Sequence, residues 1–140
     1  MSEHPNRTVA GFTLIELLIG LVITGIVAAI AVPSYNNFVQ RSKMRTVQAD
    51  LVALSVNIEN QYQRTLAYPT IASSADLSTL YSGWHAASDT AEFTFSAAST
   101  AAGYTLTATG QGGFSGCTLT ITNDNVRTAT DCPQGNGAWL

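Results

Sequence analysis

The chain has 140 residues, a formal net charge of −3 and only 11% charged residues, against about a quarter in an average soluble domain. That length holds one domain plus an extended segment. From Pro69 onward Arg127 is the only Lys or Arg, facing Asp76, Asp89, Glu92, Asp124 and Asp131, which makes this half a poor electrostatic match for nucleic acid.

Taken in chain order, the first strong signal is residues 12–32, apolar apart from Thr13, Glu16 and Thr24. As a helix rising about 1.5 Å per residue, the run is about 30 Å long, the thickness of a bilayer core. A domain this small cannot surround such a helix as its core. A secretory signal peptide is the better competitor. Against it, the preceding MSEHPNRTVAG carries one Arg and one Glu, and the run continues into Pro33-Ser34-Tyr35 without a small-x-small cleavage site. Glu16 is the anomaly, because a carboxylate inside an apolar segment costs a few kcal/mol unless paired, which makes it a functional candidate. The blander alternative is an interfacial acid in the first turn, where the helix dipole favours it.

The residues around it, Gly11-Phe12-Thr13-Leu14-Ile15-Glu16-Leu17-Leu18, closely resemble the processing signal of type IV pilins. The resemblance implies that a dedicated prepilin peptidase cuts between Gly11 and Phe12 and that the new Phe12 amine is methylated. Glu16 then becomes the fifth mature residue, the family's usual place for this acid, and Pro33 falls where the family has a helix-kinking proline. The physical reason for the acid follows from the cut. The Phe12 ammonium would enter a nearly anhydrous filament core, where an unpaired charge is costly; the Glu16 carboxylate of the same or a neighbouring subunit neutralises it and fixes register between subunits. One departure is the leader, less basic than is common in the family. Arg41, Lys43 and Arg45 lie just beyond the apolar run, and the positive-inside rule alone would put that side in the cytoplasm. The resemblance and the cysteines put it outside, and large domains translocate regardless of flanking charge.

Past Pro33, which should kink the helix rather than end it, Met44, Val47, Leu51, Leu54, Ile58, Tyr62 and Leu66 recur at three- and four-residue spacing, the apolar face of an amphipathic helix. Asp50, Asn57 and Glu59 lie off that stripe. The helix should run to about Thr65. Residues 71–91 read as a connecting loop, anchored by Leu80 and Trp84, with a short helix at Ser74–Tyr81. Alternation of apolar residues with Thr then marks antiparallel strands at Glu92–Ser96, Tyr104–Ala108 and Cys117–Thr122, and more weakly at Val126–Thr130. A two-residue turn at Asp124-Asn125 would pair Thr122 with Arg127 and Cys117 with Cys132, and directly opposed cysteines are within bridging distance. A disulfide there, in an oxidising compartment, is the simplest reading of the two cysteines. The expected fold is α+β: a long N-terminal helix, transmembrane then amphipathic, packed on a small antiparallel sheet with a C-terminal disulfide loop. The expected divisions are a leader at 1–11, a membrane and filament-core helix at 12–33, an amphipathic head helix at 34–68, and the loop and sheet of the head at 69–140.

The segments from Gly103 to Thr109, Cys117 to Thr120 and Val126 to Cys132, with Ile58-Glu59-Asn60-Gln61-Tyr62, also resemble small minor pilins and the related competence pilins. Some competence pilins bind DNA on a basic head, and the acidic head here argues against carrying that over. Enzymatic chemistry has little to stand on. His85 is the only histidine after Gly11, Gly110-Gln111-Gly112-Gly113 lacks the Lys and Ser/Thr of a phosphate loop, and Asn123-Asp124-Asn125 reads as a turn before it reads as a calcium loop. No catalytic residue, metal or cofactor is expected. The expected function is a structural subunit, read as a minor pilin, of a type IV pilus serving adhesion, twitching motility or uptake. Its partners would be other pilin subunits, the prepilin peptidase, an inner-membrane assembly platform and, before assembly, membrane lipid, with a periplasmic head and finally a place on the cell surface. Nucleic acid is not expected as a partner. The alternatives are a type II secretion pseudopilin, disfavoured because major pseudopilins more often stabilise this loop with calcium than with a disulfide, and a DNA-binding competence pilin.

Overall fold

A computed structural model describes residues 11–72 and 76–139. The expected leader, except Gly11, and the start of the short helix expected at Ser74 lie outside the described residues.

The chain divides into two compact units, residues up to Phe38 and Val39–Leu140. The helix α1 (Leu14–Thr65) contributes to both. In the first unit every described residue is exposed, including Phe12, Leu14, Leu17, Leu21, Ile30, Val32, Tyr35 and Phe38. Pro33 lies within the helix. Thr24 hides its hydroxyl by donating to the Gly20 carbonyl one turn back (2.8 Å), so the apolar run carries this polar side chain without an unmet donor.

In the second unit α1 buries Met44, Val47, Leu51, Leu54 and Ile58, the stripe that its periodicity predicts, against a four-stranded antiparallel meander. The strands are β1 (Phe93–Thr100), β2 (Gly103–Gly110), β3 (Thr118–Thr122) and β4 (Arg127–Thr130), in that spatial order. Their inward residues, Phe93, Ala97, Tyr104, Leu106, Ala108, Leu119 and Ile121, complete the core. Leu66 departs from the expected stripe. The helix ends at Thr65, and Leu66 takes a left-handed conformation (φ 56°) and is 80% exposed, because the chain must turn there toward Tyr68-Pro69 and leave the helical repeat.

The connecting segment is also anchored differently. The short helix α2 (Leu77–Leu80), capped by the Asp76 carboxylate on the Ser78 N–H (3.0 Å), buries Leu77, while Leu80 is 53% exposed. Trp84 is buried as expected, edge-on to Phe95. After β2, the glycine-rich connection is a 3-10 helix, Gly112–Phe114. A Cβ on Gly110 would run into the Phe114 carbonyl, which is why no side chain is carried there.

The β3–β4 register differs by one residue from the expected one. Thr122 donates its N–H to the Val126 carbonyl (3.1 Å), Ile121 pairs with Arg127 and Thr118 with Thr130. The turn therefore has three residues, Asn123-Asp124-Asn125, with Asn125 at φ 57°; Asn tolerates that left-handed region better than most residues. The cysteines are consequently not a ladder pair. Asp131 breaks the strand at φ 53° and swings Cys132 back, and the disulfide to Cys117 closes with the Cα atoms 4.3 Å apart.

Candidate functional site

At the N-terminal end, Gly11, Phe12 and Thr13 precede α1. Thr13 and Glu16 form a capping box. The Glu16 N–H donates to the Thr13 hydroxyl (3.3 Å), and a Glu16 carboxylate oxygen lies 3.4 Å from both the Thr13 backbone nitrogen and its hydroxyl. The contacts are long but reciprocal, and they meet donors that the first turn of any helix leaves free. The T-x-x-E spacing at 13–16 was the available signal for it. Phe12 is 85% exposed. A Cβ on Gly11 would meet nothing within 4 Å, so this fold itself makes no demand for glycine there. Along the same helix Phe12, Glu16, Leu17, Gly20, Leu21, Thr24, Gly25 and Ala28 line a shallow, mostly apolar groove.

In the head, two acids that lie off the apolar stripe tie the helix to its surroundings. Asp50, only 6% exposed, accepts the backbone N–H groups of Ala87 (2.9 Å) and Ser88 (2.9 Å), one on each carboxylate oxygen, and its own carbonyl accepts the Trp84 indole N–H (3.1 Å). A buried carboxylate with no cation is tolerable when backbone donors meet its charge. Glu59 accepts both the Tyr104 hydroxyl (3.0 Å) and the Tyr68 hydroxyl (3.2 Å) from one oxygen. Tyr68 stacks on Tyr62 and meets Tyr104 edge-on. Burial, and then the Glu59 hydrogen bond, push the Tyr104 phenol well above its ordinary range; Tyr68 moves the same way, by burial and then by the Glu59 charge.

Cys117 and Cys132 are joined, and the Cys117 sulfur also touches the Met44 sulfur of α1 at 4.0 Å. Beyond the bridge the tail doubles back. Gly137 pairs with Ala129 on the edge of β4, and the Trp139 indole N–H is shared between the Thr128 and Thr120 carbonyls (2.9 and 3.1 Å) under the Arg127 guanidinium. This tail covers an otherwise open sheet edge, a role for Trp139 that pattern reading passed over. In the turn, Asn123 Oδ1 accepts the Tyr104 N–H and Asn125 Oδ1 accepts from Arg127, so these oxygens serve the turn itself. His85 is exposed.

The comparisons follow the same two parts. Residues 33–132 match the family model described as "Type IV minor pilin ComP, DNA uptake sequence receptor". The chain belongs to the type IV pilins. Residues 6–32 of this pilin match the prokaryotic N-terminal methylation motif. Among curated relatives, it is similar to the type IV major fimbrial protein FimA of Dichelobacter nodosus, 47% identical over 49 residues, which is 35% of this chain and 31% of that one. It is also similar to the type IV major alpha-pilin of Moraxella bovis (49% over 43 residues, 31% of this pilin and 27% of that protein) and to the type IV major pilin PilA of Myxococcus xanthus strain DK1622 (52% over 44 residues, 31% and 20%). The pilin thus matches about a third or less of the length of these relatives. No solved structure matches it.

Proposed function

We propose that the chain is a minor pilin, made as a precursor, held in the inner membrane by residues 12–33 and cut after Gly11 by a prepilin peptidase. The observation that carries this reading is the pairing of a glycine-aromatic-glutamate signal with a helix whose residues from Leu14 to Phe38 are all exposed. So much contiguous apolar surface needs lipid or other copies to cover it. Lipid covers it first; in the fibre, neighbouring subunits do, with Pro33 kinking the helix and Glu16 pairing the methylated Phe12 amine. An assembly platform in the inner membrane would move the subunit from one setting to the other, and the head would carry adhesion, motility or uptake. The test is mass spectrometry of filament-associated protein: the expected N-terminus is methylated Phe12, and Gly11→Val should leave the precursor uncut. An intact Met1 in assembled filaments would sink the reading. Subunit abundance in purified filaments decides minor against major: a few per cent or less supports the proposal.

A second reading, a DNA receptor, is favoured by the description of the family model that spans residues 33–132. From Val39 onward the chain has five Lys and Arg against seven Asp and Glu, so general attraction to phosphate is weak and any DNA binding would rest on individual contacts. Titrating labelled duplex DNA with the detergent-solubilised chain at low salt tests it. Salt-sensitive binding that Arg127→Ala weakens supports this reading; no binding removes it and leaves the assembly reading standing.

A further inference from the structure

Arg41, Lys43 and Arg45 have no part in the core or in the pairing of Glu16 with Phe12. From Leu17 to Ala49 they are the chain's only charged residues, and no acid stands among them. The acids of the head, from Asp50 to Asp131, all come later, with only Arg64 and Arg127 to offset them. An ordinary solvated surface intersperses the two signs. Here one sign is gathered on the stretch of α1 that follows the apolar run. Lys43 has an internal use, an ion pair with Glu92 just before β1. Arg41 and Arg45 are both exposed, and among the described residues neither guanidinium has an acid or another acceptor as a partner. Four residues apart, they lie one turn above the other on the same side of the helix, off the stripe that buries Met44, Val47 and Leu51.

We propose that Arg41 and Arg45 bind the phosphate groups of acidic phospholipid at the outer surface of the bilayer. This rests on the reading above that residues 12–33 span that bilayer, and it names the lipid they select. Arg41 comes nine positions after Val32, the end of the apolar run, which is about 14 Å along a helix. The headgroup layer fills the first 5–7 Å or so of that distance, and a long arginine side chain turned toward the surface closes much of the rest. Arg45, one turn further, approaches as the helix tilts. A guanidinium suits a phosphate because its planar fork can donate two hydrogen bonds at once. The acids of the head are repelled by the same anionic surface, so the charge asymmetry turns the basic end toward it. Cations on the exported side also run against the usual bias of membrane segments, and acidic headgroups on that side give them a partner. Nucleic acid is the weaker candidate. It must be captured from solution past an acidic head, whereas lipid is tethered beside these arginines at high effective concentration.

The test separates insertion from lipid choice. Full-length protein is reconstituted in phosphatidylcholine vesicles, and flotation shows whether it travels with lipid. Protein that pellets free of lipid defeats the membrane reading and this proposal together. In vesicles that float with protein, trace spin-labelled phosphatidylglycerol and spin-labelled phosphatidylcholine are compared for the fraction immobilised by the protein. The expected result is a preference of at least about fivefold for phosphatidylglycerol in about 10 mM salt. It should fade in about 1 M salt, where the screening length falls from about 30 Å to about 3 Å. Arg41→Gln/Arg45→Gln should lose most of the preference, and Arg41→Lys/Arg45→Lys, which keeps the charge, should retain most of it. Both side chains are exposed, so neither double variant disturbs the core. The proposal is overturned, with the membrane reading intact, if floated wild-type protein shows no preference or if the Gln variant keeps it. It is equally overturned if short duplex DNA, equimolar with protein, abolishes the preference, which would assign the arginines to nucleic acid.

Discussion

Glu16 reaches back to the Thr13 backbone nitrogen while the Thr13 hydroxyl accepts the Glu16 N–H. The acid that would pair with the Phe12 amine therefore also caps its own helix, and the two roles need separate substitutions. Gln serves a capping box as well as Glu does, so Glu16→Gln should leave insertion, cleavage and helix intact and remove only the charge. Filament incorporation should then fall several-hundredfold, in line with the roughly 3–5 kcal/mol cost of breaking a buried pair. Glu16→Ala loses the cap as well. Immunoblots of membrane and sheared-filament fractions check this; wild-type incorporation of Glu16→Gln would assign the residue to capping alone.

Removing the bridge should weaken the head. Cys117→Ser or Cys132→Ser should lower unfolding free energy by about 2–4 kcal/mol, read by denaturant titration of the detergent-solubilised chain, and reductant should lower the wild type by the same amount while leaving either variant unchanged.

Among the described residues, Asp50 is the one acid held in the head core. Asp50→Ala should cost about 2–3 kcal/mol, because the Ala87 and Ser88 N–H groups lose a charged acceptor. Asp50→Asn keeps one acceptor oxygen and should cost less. Trp84, whose indole N–H bonds the Asp50 carbonyl, gives a local fluorescence signal for the loosening.

Alkali should destabilise the head through its tyrosines. The fold holds the Tyr104 and Tyr68 phenols neutral beyond their ordinary range, whereas an unfolded tyrosine ionises near about pH 10. Their contribution is complete below that pH. It is lost as pH rises above it, since the unfolded chain then binds fewer protons than the folded one. Tyr104→Phe should flatten the decline above pH 10, at a cost of about 1–3 kcal/mol at neutral pH from the hydrogen bond to Glu59. Denaturation midpoints across pH 7–11.5 measure both effects.

Periodicity made most of the fold legible. Met44, Val47, Leu51, Leu54 and Ile58 at helical spacing, and threonine alternating with apolar residues in β2 and β3, each report which side faces the core. The pattern failed where a residue's environment comes from a distant segment. Asp50 is polar and off the stripe, yet the chain at Ala87-Ser88 crosses over it and buries it. Leu66 continues the stripe on paper but follows the last helical turn. Leu80 reads as an anchor but lies outward, and Leu77, at the start of the turn that Asp76 caps, is buried instead. The β3–β4 register slipped by one residue because Asn125 adopts a left-handed conformation, which lengthens the turn, and Asp131 does the same, which restores the approach of the cysteines. Around Glu16, the Gly-Phe-x-x-x-Glu signal pointed to assembly and drew notice away from the T-x-x-E cap within it.

The position of the bridge has a mechanical consequence. Cys117 and Cys132 are 15 residues apart in sequence, at the open end of the β3–β4 hairpin. If the head is pulled between α1 and its C-terminal tail, tension passes from one sulfur to the other and bypasses the hairpin. About 50 Å of chain, at about 3.4 Å per extended residue, cannot then unspool. Strain must fall first on the segments outside the loop: the Gly137 and Trp139 contacts that dock the tail, the Asp50 tether to residues 87–88 and the Glu59 bonds to the two tyrosines. Under load the helix should come away from the sheet before the sheet loses its last two strands.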